Sequence, residues 1–264
     1  MRTFEDLEQW RTARGAMAGR VGFVPTMGAL HAGHAALIER SIAECDVTVV
    51  SVYLNPTQFD NAHDLAGYPR TLEADLELAR SLGADAVVTP RYQDLYPDDF
   101  RYRVEEHELS TALCGAHRPG HFTGVLTVVM KLLNLVRPHR AYFGEKDYQQ
   151  YELIRGMVEA FFLDVEIVPC ATVREADGLA MSSRNARLGA QGRALAPQFY
   201  ALLRTPVDDA EVRARLTHAG FEVDYVETRR GRRFGAVIVA GRDGDVRLID
   251  NVPAPQAHER ETHA

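Results

Sequence analysis

The stretch Val21-Gly22-Phe23-Val24-Pro25-Thr26-Met27-Gly28-Ala29-Leu30-His31-Ala32-Gly33-His34 decides the fold. Its first four residues read as a buried strand and its glycines mark a turn. A helix beginning near His34 then runs through Leu37, Ile38 and Ile42 on one apolar face. Val47 to Tyr53 follows, continuous and β-branched, the pattern of a central parallel strand covered on both sides. Working outward, Thr71 to Leu82 is an expected helix stopped by Gly83, and Ala86 to Val88 an expected strand. Val125 to Leu135 reads as a helix ending ahead of Pro138; Ala141 to Phe143, Tyr148 to Phe162 and Val165 to Val168 read as strand, helix and strand. Strand and helix alternate at least four times, which predicts an α/β chain with a doubly wound parallel sheet.

Beyond Thr172 the alternation stops. Ala194 to Leu203 reads as a helix, whereas Phe221 to Thr228, Phe234 to Ala240 and Asp245 to Ile249 read as short strands joined by glycine-rich turns with no helix between them. The expected organisation is a domain of residues 1–172 and a smaller α+β domain of residues 173–264, ending in a frayed polar tail over 254–264. The one basic run, Arg229-Arg230-Gly231-Arg232-Arg233, reads as a solvated hairpin turn, with an interaction module as the alternative.

Length and composition bound the function. The chain has 264 residues, 46% hydrophobic and 25% charged, which is enough to bury a core and excludes disordered, collagen-like and coiled-coil classes. Thirty Lys plus Arg against 37 Asp plus Glu leave a net charge of −7, which disfavours nucleic acid as a partner. The acidic start Met1-Arg2-Thr3-Phe4-Glu5-Asp6 predicts no export signal, and the longest apolar run, Val125 to Val136, is interrupted by Lys131 and too short to cross a membrane. Cys45, Cys114 and Cys170 are odd in number and lack CxxC spacing, so a reducing cytoplasm is the expected compartment.

The chemistry concentrates where strands end. His31 and His34, three apart around Gly33 at a helix start, bring two donor side chains to one spot. Several free backbone N–H groups are expected there too, an arrangement suited to an anion. A polar surface loop or a metal pair are the alternatives, the latter needing a third ligand that no nearby Cys or His supplies. Met181-Ser182-Ser183-Arg184-Asn185 offers two hydroxyls and a guanidinium, suited to a triphosphate; standing alone it reads rather as a Ser-rich loop with a helix N-cap at Ser183 or Asn185. An open parallel sheet binds ligands outside its carboxyl edge, and both segments can reach that edge. In Gly144-Glu145-Lys146-Asp147, Lys146 can reach a phosphate and Asp147 can cap a helix or accept a ribose hydroxyl; a surface turn is the plain alternative. Asn55-Pro56-Thr57-Gln58-Phe59 offers amides to a small polar substrate, or is simply a Pro-containing turn.

Taken in order, Pro25 to His34, Asn55 to Phe59, Tyr68 to Arg70, Arg118 to Val129, Phe143 to Gln150 and Arg174 to Asn185 resemble the pantothenate synthetase (pantoate–beta-alanine ligase) family. That family lies in the nucleotidylyltransferase superfamily related to class I aminoacyl-tRNA synthetases. The resemblance runs from about Phe23 to Leu188, and its HxGH and MSSR elements look like that superfamily's HIGH and KMSKS signatures. It implies a Rossmann-like catalytic domain, a C-terminal lid, and ATP-dependent condensation of (R)-pantoate with β-alanine through a pantoyl adenylate, releasing pyrophosphate and AMP. It places ATP on Met27, Gly28, Ala29, Leu30, His31, Ala32, Gly33, His34, Gly144, Glu145, Lys146, Asp147, Val173, Met181, Ser182, Ser183 and Arg184. Pantoate falls to Gln58 and Gln150, with β-alanine also at Gln58, and Asn55 joins the substrate set. His34 is the implied proton donor, and His31, Lys146, Ser182, Ser183 and Arg184 complete the catalytic set. Mg²⁺ is expected to arrive with ATP, and a cytoplasmic homodimer is implied. Two departures stand out: Cys114 occupies a position where the family often has glutamate, and the C-terminal unit reads as shortened, with little between the Ala194 to Leu203 helix and the final strands. The alternatives are another nucleotidylyltransferase of the superfamily, such as one acting on phosphopantetheine, and a non-catalytic nucleotide-binding protein; the Asn55 to Phe59 and Tyr68 to Arg70 segments argue against the first.

Overall fold

The structure, a computed structural model, describes residues 1–254, so the tail expected over 254–264 lies outside the described residues beyond Ala254. Two compact units divide at Val173, Met1–Val173 and Arg174–Ala264.

The first unit is a six-stranded parallel sheet of β1 (Arg2–Phe4), β2 (Val21–Thr26), β3 (Val47–Val52), β4 (Ala86–Val88), β5 (Arg140–Gly144) and β6 (Glu166–Cys170). Their spatial order is β1-β4-β3-β2-β5-β6. The helices of six residues or more are α1 (Leu7–Ala16), α2 (Ala32–Glu44), α3 (Leu72–Leu82), α4 (His121–Val136) and α5 (Tyr148–Ala160). Right-handed crossovers put α2 and α3 on one face, because β2, β3 and β4 step one way; β5 to β6 steps the other way and puts α5 on the opposite face with α4. Val24, Val50 and Val87 meet Leu37, Ile38 and Ala79 on the first face. Gly22 is needed there, since a Cβ would lie 2.2 Å from Ser41 Oγ, whose hydroxyl bonds Thr48 Oγ1 at 2.8 Å. Gly83 ends α3 in the left-handed conformation at φ +99°.

Sequence reading missed β1 and α1. Three residues carry no periodicity, and β1 is held by its parallel pairing with β4, Arg2 opposite Ala86 and Phe4 opposite Val88. The fully buried Trp10 anchors α1, its indole N–H donating to the Leu135 carbonyl at 3.0 Å. Arg14 donates to the carbonyls of Val136 (2.6 Å) and Arg137 (2.7 Å), where α4 leaves acceptors without helical partners.

In the second unit, antiparallel β7 (Glu222–Arg229), β8 (Arg232–Ala240) and β9 (Asp245–Pro253) pack on α6 (Ala190–Leu195), α7 (Pro197–Leu203) and α8 (Asp209–Ala219). The single helix expected over Ala194 to Leu203 is two, because Pro197 has no N–H to continue one helix and starts the next. The expectation of little between that helix and the strands is corrected by α8. Its sequence buries only Val212 and Leu216, too sparse an apolar stripe to read. The basic run does turn between β7 and β8, with Arg230 and Gly231 at positive φ. It is not solvated throughout: Arg233 is 4% exposed, bonded to Asp209 Oδ1 at 2.7 Å and to the carbonyls of Leu203, Thr205 and Val207.

Candidate active site

Strand order reverses between β2 and β5, and a parallel sheet leaves a crevice at the carboxyl ends of such a pair. His31 and His34 follow β2, and Lys146 and Asp147 follow β5. His31 is the N-cap of α2, its Nδ1 accepting the Gly33 N–H at 3.1 Å. His34 Nδ1 accepts the N–H of His31 at 3.3 Å. With both Nδ1 atoms accepting, each neutral ring keeps its hydrogen on Nε2, and the two rings lie 4.1 Å apart centre to centre. Burial, then the neighbouring His31, pushes His34 down to about 3; burial and then Lys146 lower His31 as well. Asp147 opposes both shifts. At neutral pH the pair is therefore two uncharged, fixed N–H donors beside the Lys146 cation.

The expectation of several free backbone N–H groups is corrected. Gly28 donates to Thr26 Oγ1 (3.2 Å), Ala29 and Leu30 to the carboxylate of Asp75 (3.0 and 2.8 Å), and His31 and Gly33 to the imidazoles. The turn thus presents mainly side chains. Asp75, 45 residues from Leu30, carries no sequence signal for this role. Asp147 stands at the N-cap of α5 without a side-chain capping bond, contrary to one expected use, and lies 3.7 Å from Lys146 Nζ.

Asn55 is not a free amide. It is 1% exposed, its Nδ2 donating to Gln58 Oε1 (3.0 Å) and to the Gly124 carbonyl (3.3 Å) while its Oδ1 accepts from Thr57 (3.0 Å) and Tyr96 (3.0 Å). These bonds tie Asn55 to the side chain of Gln58. The Gln58 carbonyl is bonded to His121 Nδ1 at 2.7 Å, and Arg118 reaches it at 3.3 Å. Gly124 lets α4 approach this turn, since a Cβ there would lie 2.4 Å from the Thr57 carbonyl oxygen. Sequence reading missed Tyr96 and gave His121, Arg118 and Gly124 no part beyond the motif. Gln150 is half-buried on α5. Its neighbour Gln149 accepts the Cys114 N–H (3.1 Å) and donates to Leu109 and Ala112 carbonyls (2.8 Å each), which assigns Cys114 a packed structural place. A cavity of about 440 Å³ opens beside β2, β3 and β4, with Met27, Gly28, Tyr53, Arg70 and Asp75 in its wall.

Within the second unit Ser182 begins a short 3-10 turn, Ser183–Arg187, its hydroxyl oxygen accepting the Arg184 N–H at 3.3 Å. Met181, Ser182, Ser183 and Arg184 are all half-buried. Their loop is stapled by Asn185, which donates to Glu175 Oε1 and the Ala180 carbonyl at 3.0 Å each. Arg174 makes a two-pronged pair with Asp250 (2.6 and 2.9 Å) and lies over the Tyr200 ring. The histidines, Lys146 and Asp147 are thus one electrostatic cluster of the first unit, and Met181 to Arg184 a separate loop of the second.

Residues 1–253 match the family model described as pantoate-beta-alanine ligase. Relatives include a pantothenate synthetase of Bdellovibrio bacteriovorus, 53% identical over 96% of this chain and 98% of its own length. One of Legionella pneumophila is 49% identical over 95% and 99%. Among solved structures, a pantoate-beta-alanine ligase of Francisella tularensis, complexed with beta-gamma ATP and beta-alanine, superposes with a TM-score of 0.90 at 39% identity, covering 96% of this chain and 98% of its own. With a family model matched along nearly all its length and relatives near half identity, the chain belongs to the pantoate-beta-alanine ligase family.

Proposed function

We propose that the chain condenses pantoate with β-alanine in an ATP-dependent, AMP-forming ligation. The pantoate carboxylate attacks the α-phosphorus of ATP and pyrophosphate leaves. The amine of β-alanine then attacks the acyl carbon of pantoyl adenylate, expelling AMP and giving pantothenate. The observation that carries this reading is the pair of neutral Nε2–H donors, His31 and His34, gathered with Lys146 at the β2/β5 reversal in a chain of this family. Such donors stabilise charge as it moves onto the leaving pyrophosphate, and preorganised donors do so without reorganising. No covalent enzyme intermediate is required, because carboxylate and amine supply both nucleophiles.

ATP is assigned to residues 27–34 and 144–147, with Val173, Met181, Ser182, Ser183 and Arg184 as further contacts; Gln58 and Gln150 are assigned to pantoate, and Gln58 also to β-alanine. His34 serves as a hydrogen-bond donor from a neutral ring, and the charge of a bound triphosphate would draw its affinity for a proton upward. Mg²⁺, which keeps several waters and binds phosphates with one or two carboxylates, fits the half-exposed Asp147 as its protein ligand; Asp75 has both oxygens engaged by N–H groups. The metal would offset phosphate charge. A cytoplasmic homodimer is part of the proposal, the odd number of cysteines and their lack of CxxC spacing favouring a reducing compartment; sedimentation of the purified chain measures the dimer.

The test is AMP formation with pantoate, β-alanine and Mg-ATP, each omitted in turn. AMP requiring all three is expected, and AMP indifferent to pantoate overturns the assignment.

A further inference from the structure

We propose that Asp75 is a positioning residue for the reaction: by holding the backbone of residues 28–30 it sets the direction from which His31 and His34 address the phosphates. The proposal rests on the reading of the site given above.

The carboxylate of Asp75 is 3% exposed and lies on α3, outside the loop it holds. Oδ2 accepts the Ala29 N–H at 3.0 Å; Oδ1 accepts the Leu30 N–H at 2.8 Å and the Thr71 hydroxyl at 3.2 Å. The backbone so gripped is in an unusual conformation. Gly28 has φ +83° and Ala29 φ +50°, two successive residues in the left-handed region, which a residue bearing a Cβ seldom adopts unless its surroundings hold it there. A Cβ built on Gly28 would lie 3.0 Å from Asp75 Oδ2, so the carboxylate packs directly under the turn. The next residue is His31, whose ring caps α2 and whose N–H fixes the tautomer of His34. Asp75 therefore acts at one remove: it fixes the peptide planes of Ala29 and Leu30, these fix the Cα–Cβ direction of His31, and His31 fixes His34.

The residue type matters. A carboxylate accepts at both oxygens, whereas the near-isosteric asparagine accepts at one and presents an NH₂ group to the other backbone N–H, donor against donor. Asp75→Asn thus releases half the grip with little change of volume. Thr71→Val removes the third bond to Oδ1 and leaves both backbone bonds in place.

The experiment measures pantoate-dependent exchange of labelled pyrophosphate into ATP for wild type, Asp75→Asn and Thr71→Val, together with thermal midpoints and the imidazole NMR signals of His31 and His34. For Asp75→Asn the expected result is a kcat lowered ~10- to 10²-fold, the range that small misplacements of catalytic groups produce. Its KM for pantoate stays within about twofold, because Gln58 is held by other residues. The His31 and His34 imidazole signals shift in Asp75→Asn and stay put in Thr71→Val, which keeps near wild-type exchange. Unshifted imidazole signals in Asp75→Asn, or a fall in exchange no larger than its loss of folded protein, overturns the proposal. Exchange absent from the wild type would defeat the site reading itself, whereas a wild type that exchanges beside an Asp75→Asn variant of equal kcat defeats this proposal alone.

Discussion

The N–H of His31 donates to Nδ1 of His34 across 3.3 Å, and that bond decides where His34 keeps its proton. With Nδ1 accepting, a neutral His34 carries its hydrogen on Nε2, and burial beside His31 holds the ring far below the usual histidine range, at about 3. The chemistry asked of it is donation from a neutral ring. A glutamine at this position can place an N–H near the same point, whereas alanine cannot. His34→Ala is expected to lose ~10²–10³ in adenylation rate, the usual cost of one preorganised donor, and His34→Gln to recover part of it. Equal activities of the two variants would contradict the neutral-donor role.

The same depression has a consequence for stability. Because the folded-state value lies below the ordinary 6.5, the unfolded chain binds the proton first as pH falls. Stability contributed by a neutral His34 is present above about pH 6.5 and is lost as pH falls from 6.5 toward 3, at up to ~1.4 kcal/mol per pH unit. Urea unfolding at pH 7, 6 and 5 checks this: the His34→Gln variant is expected to show the shallower decline, and a parallel decline in both proteins counts against it.

Lys146 is half-buried and 3.7 Å from the half-exposed carboxylate of Asp147, a long, partly solvated pair of small energetic weight. Lys146→Ala is expected to lower adenylate formation by ~10²–10³ while moving the thermal midpoint little. Near-normal turnover would remove Lys146 from the phosphate site.

Gln58 and Asn55 form a pair in which one side chain points the other. Gln58→Ala is expected to raise the KM for pantoate at least about tenfold with the KM for ATP almost unchanged. Asn55→Ala should imitate it more weakly and also lose stability, because it removes the Asn55 donor to Gln58 Oε1 and one of the two partners of the buried Tyr96 hydroxyl. A rise in the ATP constant alone, measured by initial rates, would place the pantoate pocket elsewhere.

Gly124→Ala tests the same turn from the helix side. Its new Cβ would meet the Thr57 carbonyl at 2.4 Å, so the turn carrying Gln58 must move. The expected cost is ~1–3 kcal/mol of stability with a raised pantoate KM. An unchanged midpoint by calorimetry would mean the turn is not tightly packed.

Much of the fold was legible because its signals are local. Val47 to Val52 is β-branched at every position but Ser51, Gly83 stops a helix, and Arg230-Gly231 turns a hairpin; each is settled by a few neighbouring residues. What escaped notice depends on distant partners. The three residues of β1 form a strand only against β4, and α8 buries so few side chains that its periodicity is lost among charges. In the site, His31, His34, Lys146 and Gln58 announce themselves by residue type after strands. Asp75 does not, because an aspartate on a helix is unremarkable until the loop it grips, some 45 residues earlier, is brought to it. Two of the N–H groups expected to be free in the turn, those of Ala29 and Leu30, are taken by that same carboxylate.

The most direct test of the account is the fate of the ATP bonds. Pantoate and Mg-ATP without β-alanine are predicted to support exchange of labelled pyrophosphate into ATP, since pantoyl adenylate forms reversibly before the amine is needed; adding β-alanine should then yield AMP, pyrophosphate and pantothenate together. ADP as the nucleotide product, or pyrophosphate exchange that proceeds equally without pantoate, would contradict the account.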